Sequence, residues 1–226
     1  MKAVNVAAER PKVSRHERKD LFTLSIRKII DDVLLQEIKS GREIRTIAIT
    51  SPFHSDGKSE ISKQLAGEFA AQGNRTLLLD LKSMTEDKAY MTDSSRTLKL
   101  LDESIFKTST KNFDYLSLDD IRKSQAVTLD RISLGSLFLQ LRSRYKRIVI
   151  DTAPLSEDMS GFIAASTADG VYFICSKSNL HGRQPETHYQ KLKEIGAGML
   201  GVIYNNADVK LVKKNLGRNG KKHGKN

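Results

Sequence analysis

The sequence has one cysteine, four prolines, no tryptophan, and aromatics at only 6% of its 226 residues. A lone cysteine, Cys175, cannot build a disulfide framework, which leaves a reducing compartment as the expectation. So few aromatics provide little material for a surface that stacks nucleic-acid bases, which argues against nucleic acid as a partner. No apolar stretch approaches the roughly 20 residues that span a bilayer, and the polar N-terminus has no apolar stretch of the secretory-signal kind. The expectation is a cytoplasmic protein, peripheral to a membrane only through a partner.

What is abundant is positive charge, and its position matters more than its amount. The net charge is +11. Residues 1–20 carry six Lys/Arg against three acids, and residues 208–226 carry seven against Asp208 alone. The remainder is close to neutral at about +2, ordinary for a single α/β domain of this length. The ends read as basic tails, 1–19 and 208–226, around one domain over 20–207 that is long enough to build a core without staples.

Within that domain, apolar residues at Leu21, Leu24, Ile29, Ile30, Val33, Leu34 and Ile38 trace a helical stripe from Asp20 to Lys39. Short apolar runs follow at Thr46–Thr50, Thr76–Asp80, Phe113–Leu116, Arg147–Asp151, Val171–Ser176 and Met199–Tyr204. Helical patterns lie between them: Ile61, Leu65 and Phe69; Leu134, Leu137, Phe138, Leu141 and Tyr145; and about Gln184 to Ile195. Near-continuous apolar strands alternating with helices predict an α/β fold, a mostly parallel sheet covered on both faces. Ligands of such sheets bind outside the carboxyl ends of the strands. The stretch from Ser83 to Lys111 shows no clear period.

Two motifs fall at such carboxyl ends. Strand Thr46–Thr50 leads into Ser51-Pro52-Phe53-His54-Ser55-Asp56-Gly57-Lys58-Ser59-Glu60 and then a helix, the strand–loop–helix context of a P-loop. Consecutive backbone N–H groups at Ser55 to Glu60, together with the helix N-terminus, suit phosphate oxygens. Gly57 permits close approach of the chain, Lys58 would span the β- and γ-phosphates, and the Ser59 hydroxyl would coordinate Mg²⁺. Position 52 is proline rather than the first glycine of the usual pattern. Taken alone, Gly-Lys-Ser also fits a capped helix start with Lys58 on a solvated first turn. The second motif is the buried strand Arg147–Asp151, whose terminal carboxylate is placed to orient a metal's ligands, or else to serve as a turn aspartate before Pro154.

With these residues in view, the chain resembles the bacterial tyrosine kinases (BY-kinases) of capsular and exopolysaccharide systems, within the wider P-loop ATPases that include partition and division-site positioning ATPases. The resemblance runs over roughly residues 44–206. It is carried by Ile44–Pro52 and the loop that follows, Gly73–Asp80, Tyr145–Pro154, Ala168–Val171 and Leu200–Asn205. That family also lacks the first P-loop glycine. The positioning ATPases have an additional lysine where this chain has Phe53, which favours the kinase branch.

The resemblance implies that ATP and Mg²⁺ are the cofactors. Lys58, Asp80 and Asp151 would be the catalytic residues, Ser59 and Asp151 the metal ligands, and Asn205 would lie near the adenine. The second aspartate of the family's intermediate motif is Lys82 here, and no tyrosine follows Tyr204. Arg27-Lys28 only hints at the family's oligomerisation motif, through which the resemblance implies a homo-oligomer. The implied function is a cytoplasmic ATP-binding protein that works with an inner-membrane polysaccharide co-polymerase or its cytoplasmic tail, with autokinase activity weakened or lost. The alternative is a positioning ATPase that dimerises on ATP and binds a membrane or nucleoid surface through its basic tail. His54 lies in the loop, where it could touch phosphate, and reads as a solvated loop histidine; His181, His188 and Cys175 show no metal-ligand spacing, and Asp114, Asp119 and Asp120 read as strand and helix-cap residues.

Overall fold

The computed structural model describes residues 3–7, 14–82, 103–117, 131–179 and 183–218, with backbone alone at 3–7, 131–133 and 217–218. Eight strands form one sheet: β1 (Ala3–Ala7), β2 (Thr46–Thr50), β3 (Thr76–Asp80), β4 (Phe106–Lys107), β5 (Phe113–Ser117), β6 (Arg147–Asp151), β7 (Gly170–Ser176) and β8 (Met199–Ala207). Their spatial order is β1-β8-β7-β2-β6-β3-β5-β4, and every neighbouring pair is parallel except β4 with β5. The helices are α1 (Arg15–Ser40), α2 (Lys58–Ala71), α3 (Arg131–Arg142), α4 (Ser160–Thr167), α5 (Gln184–Glu194) and α6 (Val209–Arg218). The expected α/β architecture is the one observed.

Alternation along each central strand divides the core into two layers. Ile47, Ile49, Leu78, Val149, Tyr172 and Ile174 face α1 and α2, packing on Ile29, Ile30, Ile61, Leu65 and Phe69. Ala48, Leu77, Leu79, Ile148, Ile150 and Phe173 face the other way, onto Leu134, Phe138, Phe162 and Leu192 of α3, α4 and α5. All five residues of β2 and of β6 are buried, as strands covered on both faces must be. The amino-terminal end of the sheet is fastened by Arg147, whose Nη1 and Nη2 donate to Glu37 Oε1 and Oε2 at 2.6 and 2.9 Å.

Two boundaries differ from the sequence reading, and both differences lie in the expected tails. β1 pairs with β8 in parallel, and α1 begins at Arg15, where the Ser14 hydroxyl accepts the Glu17 amide at 3.1 Å. The Ser14-x-x-Glu17 spacing is a helix-start signal inside a charged stretch. At the other end α6 carries Val209 and Val212 onto Leu21 and Ala207, so a helix of mixed Lys and Val stands where a basic tail was expected. Residues 219–226 lie outside the described residues, as do Met84, Met91, Asp119, Asp120 and His181.

Candidate nucleotide site

The site is assembled at the carboxyl ends of β2, β3, β6, β7 and β8. Parallel register does most of the positioning. It sets Asp80 beside Asp151, Ile49 beside Asp151, and Ser176 beside Asn205. Residues far apart in sequence are thereby brought to one edge of the sheet.

The loop between β2 and α2 occupies the centre of that edge. Ser55 has φ 61° and Gly57 has φ 92°, so the backbone turns sharply before entering α2. No side chain caps the α2 N-terminus, which leaves its first-turn N–H groups without the usual side-chain acceptor and suited to an anion. Asn205 braces the loop from below: its Nδ2 donates to the Asp56 carbonyl at 2.8 Å. The turn after β6 supports the other side, with the Leu155 and Ser156 amides donating to the Ser51 and Pro52 carbonyls at 2.9 and 3.1 Å.

Lys58 is 5% exposed, and its ammonium curls back to donate to Ser51 Oγ at 2.9 Å and to the Phe53 carbonyl at 3.1 Å. Burial lowers its pKa, and the carboxylates of Asp151 and Asp56 oppose that shift. A cation held over the loop by neutral oxygens can be redirected to a phosphate, whose charge is a stronger partner. The solvated-lysine reading of Gly-Lys-Ser is thereby excluded.

Not every residue expected to contact nucleotide has a side chain free to do so. Asp56 is fully buried: its Oδ1 accepts from the Ser176 amide and hydroxyl and from Asn179, at 3.2, 2.7 and 2.8 Å, while its Oδ2 accepts the Phe53 amide at 3.1 Å. It ties the loop to the end of β7, and only its backbone remains for a ligand. Glu60 is exposed on the first turn of α2, and Ser55 is exposed at the loop crest. Asn205, which the resemblance places near the adenine, is committed to the loop backbone beneath Gly57.

The acidic residues converge as expected, but around a residue of this chain. The Lys82 ammonium lies 2.7 Å from Asp151 Oδ2, 3.2 Å from Asp80 Oδ2 and 2.9 Å from Ser59 Oγ. Burial pulls the Lys82 pKa down, but the hydrogen bond and charge of Asp151, with Asp80, more than offset it, and the net shift is upward. Asp151 is 2% exposed, and burial raises its pKa against the opposing effect of Lys82. Its Oδ1 has no hydrogen-bond partner. Asp80 also accepts the Tyr115 hydroxyl at 3.2 Å and the Lys82 amide at 3.0 Å.

These placements test the two implied cofactors. The loop, Lys58 and the α2 N-terminus fit the phosphates of a nucleotide. Mg²⁺ does not fit in the same way, because it demands near-octahedral oxygen ligands at about 2.1 Å. The oxygens expected to face it, on Ser59 and Asp151, instead converge on an ammonium. Ser59 and Asp151, the residues expected to hold the metal, face the Lys82 ammonium in this structure.

Sequence reasoning missed Ser51, which holds Lys58, and Tyr115, which orders Asp80. Ser51 stands first in the loop motif but was given no role there, and Tyr115 lies in the middle of β5, outside any motif. His54 pairs with Glu157 at 2.6 Å on the surface of the loop, and His188 packs on Phe162 with ring centroids 6.2 Å apart. Burial, reinforced by Asp56, pushes the Cys175 thiol up to about 12, which makes it an inert core residue.

The sheet order, the loop and the strand-end carboxylates define a P-loop ATPase fold. Solved structures agree: the chimerical protein CapA2B2 is 20% identical with TM-score 0.65, covering 90% of this chain and 92% of that one. The septum site-determining protein MinD from Pyrococcus horikoshii, solved with Mg-ADP, is 18% identical with TM-score 0.53, covering 75% of this chain and 76% of that one. Within that fold the homologues are bacterial tyrosine kinases, and the resemblance read from the motifs holds. The tyrosine-protein kinase CpsD of Streptococcus pneumoniae is 23% identical over 184 residues, 77% of this chain and 81% of that protein. The succinoglycan biosynthesis transport protein ExoP of Rhizobium meliloti is 26% identical over 185 residues, 76% of this chain but 24% of that protein. No protein-family model matches the chain.

Proposed function

We propose that this chain is a cytoplasmic ATP-binding protein of the BY-kinase type, acting in capsule or exopolysaccharide assembly or export beside an inner-membrane co-polymerase. Nucleotide acts in it as a conformational ligand, and tyrosine phosphorylation is weak or lost. The observation that carries the reading is the buried Lys58 above a loop whose uncapped helix start and Asn205 brace preform a phosphate site. ATP binding would draw the Lys58 ammonium from Ser51 and Phe53 to the phosphates, with the backbone N–H groups of Ser55 to Glu60 completing the cradle. That rearrangement changes the loop surface, which is the kind of signal a membrane partner can read. The tyrosine-protein kinase relatives support the kinase type, and ExoP, a succinoglycan biosynthesis transport protein, supports the polysaccharide setting. No helix among the described residues is long and apolar enough to cross a membrane.

The loss of phosphotransfer follows from chemistry at Lys82. A kinase needs an acceptor for the hydroxyl proton and a cation on the transferring phosphoryl group. Here both strand-end carboxylates are already engaged by one ammonium. The test is to incubate the purified chain with ATP, with and without a co-polymerase tail peptide, and to measure bound nucleotide, ADP and phosphotyrosine together. Retained ATP with little phosphotyrosine is expected. Efficient transfer to tyrosine would overturn the degenerate reading, and absence of bound nucleotide would overturn the reading altogether.

A further inference from the structure

Lys82 is two residues past the end of β3, held there by its own amide on Asp80 Oδ1 at 3.0 Å and by its ammonium on Asp151, Asp80 and Ser59. Three features distinguish this from an ordinary ion pair. The ammonium contacts oxygens from three different elements, β3, β6 and the first turn of α2. One of those oxygens is the hydroxyl beside the P-loop lysine, the group that faces a nucleotide-bound cation when a P-loop is loaded. And Asp151 is almost fully buried, so removing the cation would leave an uncompensated charge. The positive charge that a P-loop site recruits from solution as a divalent ion is here covalently part of the chain.

We propose that Lys82 is a resident substitute for the divalent cation, so that this protein binds nucleoside triphosphate without Mg²⁺. The inference rests on the nucleotide reading above and adds to it which form of the ligand is taken: the metal-free polyphosphate. Lys58 and Lys82 would then approach the phosphates from two sides, one from the loop and one from the strand ends. An ammonium is a compact point charge with three donors, which suits it to share itself between Asp151, Ser59 and a phosphate oxygen. It supplies one charge where Mg²⁺ supplies two, and it has no open coordination position for orienting a nucleophile. The site therefore favours retention of the triphosphate over its transfer.

The experiment is calorimetric titration of the full chain with ATP in millimolar MgCl₂ and again in excess EDTA, for wild type and for Lys82→Asp. Wild-type affinity is expected to agree within about threefold between the two media. Lys82→Asp restores an acidic set and is expected to weaken about tenfold or more in EDTA while recovering in MgCl₂. Mn²⁺ retention read by electron paramagnetic resonance adds a measurement independent of turnover: absent in wild type with ATP, present in the variant. Should Lys82→Asp not fold, Lys82→Ser serves the same comparison. Wild-type binding that needs Mg²⁺ by about tenfold or more, or a bound Mn²⁺ in wild type, overturns the substitution while leaving nucleotide binding intact. No wild-type binding in either medium overturns both readings.

Discussion

Asn205 Nδ2 donates to the Asp56 carbonyl across 2.8 Å, and a Cβ placed on Gly57 would fall 2.0 Å from that same nitrogen. The last strand thus holds the phosphate loop from beneath at the one residue without a side chain. Gly57 also has φ 92°, a left-handed conformation that any L side chain resists by about 1–2 kcal/mol. Gly57→Ala is predicted to weaken ATP binding by at least about tenfold, with a small loss of melting temperature, because the clash is local. Asn205→Ala added to it should recover part of the affinity by removing the clash but not the backbone strain. Titration of both variants checks this; a double variant no better than the single one would contradict it.

Asp56 is the corresponding fastening on the other side of the loop. Its carboxylate accepts four hydrogen bonds, from Ser176, Asn179 and Phe53, all in a fully buried setting. Asp56→Ala leaves buried donors unmatched and is predicted to destabilise the protein by about 2–4 kcal/mol. Chemical denaturation measures the loss, and Asp56→Asn should recover part of it by keeping an acceptor oxygen.

Acid stability has a definite source at the other end of the sheet. The paired Arg147 guanidinium is the main cause of a Glu37 carboxyl pKa below the ordinary carboxylate value, with the Ile44 amide adding to it. A folded-state pKa below the unfolded one contributes stability that is complete above the unfolded value, about 4.3, and is lost as pH falls through the folded value. Acid unfolding followed by circular dichroism should therefore steepen below that point in wild type and flatten in Glu37→Gln. Arg147→Met, which strands a carboxylate that is only 16% exposed, should cost about 3 kcal/mol near neutral pH.

The sheet and the loop were legible because their signals are local. Ile47–Thr50, Leu77–Asp80 and Ile148–Asp151 are apolar runs that end in polar residues, and a parallel sheet puts all such ends on one edge. What escaped is what depends on register between distant strands. Nothing near Asn205 in sequence says that its amide will reach Asp56, and nothing near Ser51 says that it will hold Lys58. Lys82 was visible as a reversal of charge, but that its ammonium reaches Asp80, Asp151 and Ser59 together follows only from the pairing of β3 with β6. The ends were misread for a different reason. Charge density in residues 1–20 and 208–226 obscured a capped helix start at Ser14 and the apolar spacing of Val209 and Val212.

The claim on which the rest depends is that the loop at Gly57-Lys58-Ser59 holds the phosphates of a nucleotide. Calorimetric titration of ATP into wild type and Lys58→Ala tests it directly, since the alanine removes the cation but keeps the helix start. Saturable binding at one site in wild type, weakened about tenfold or more in the variant, is the predicted result. Equal binding by the two proteins, or none by wild type, would contradict it.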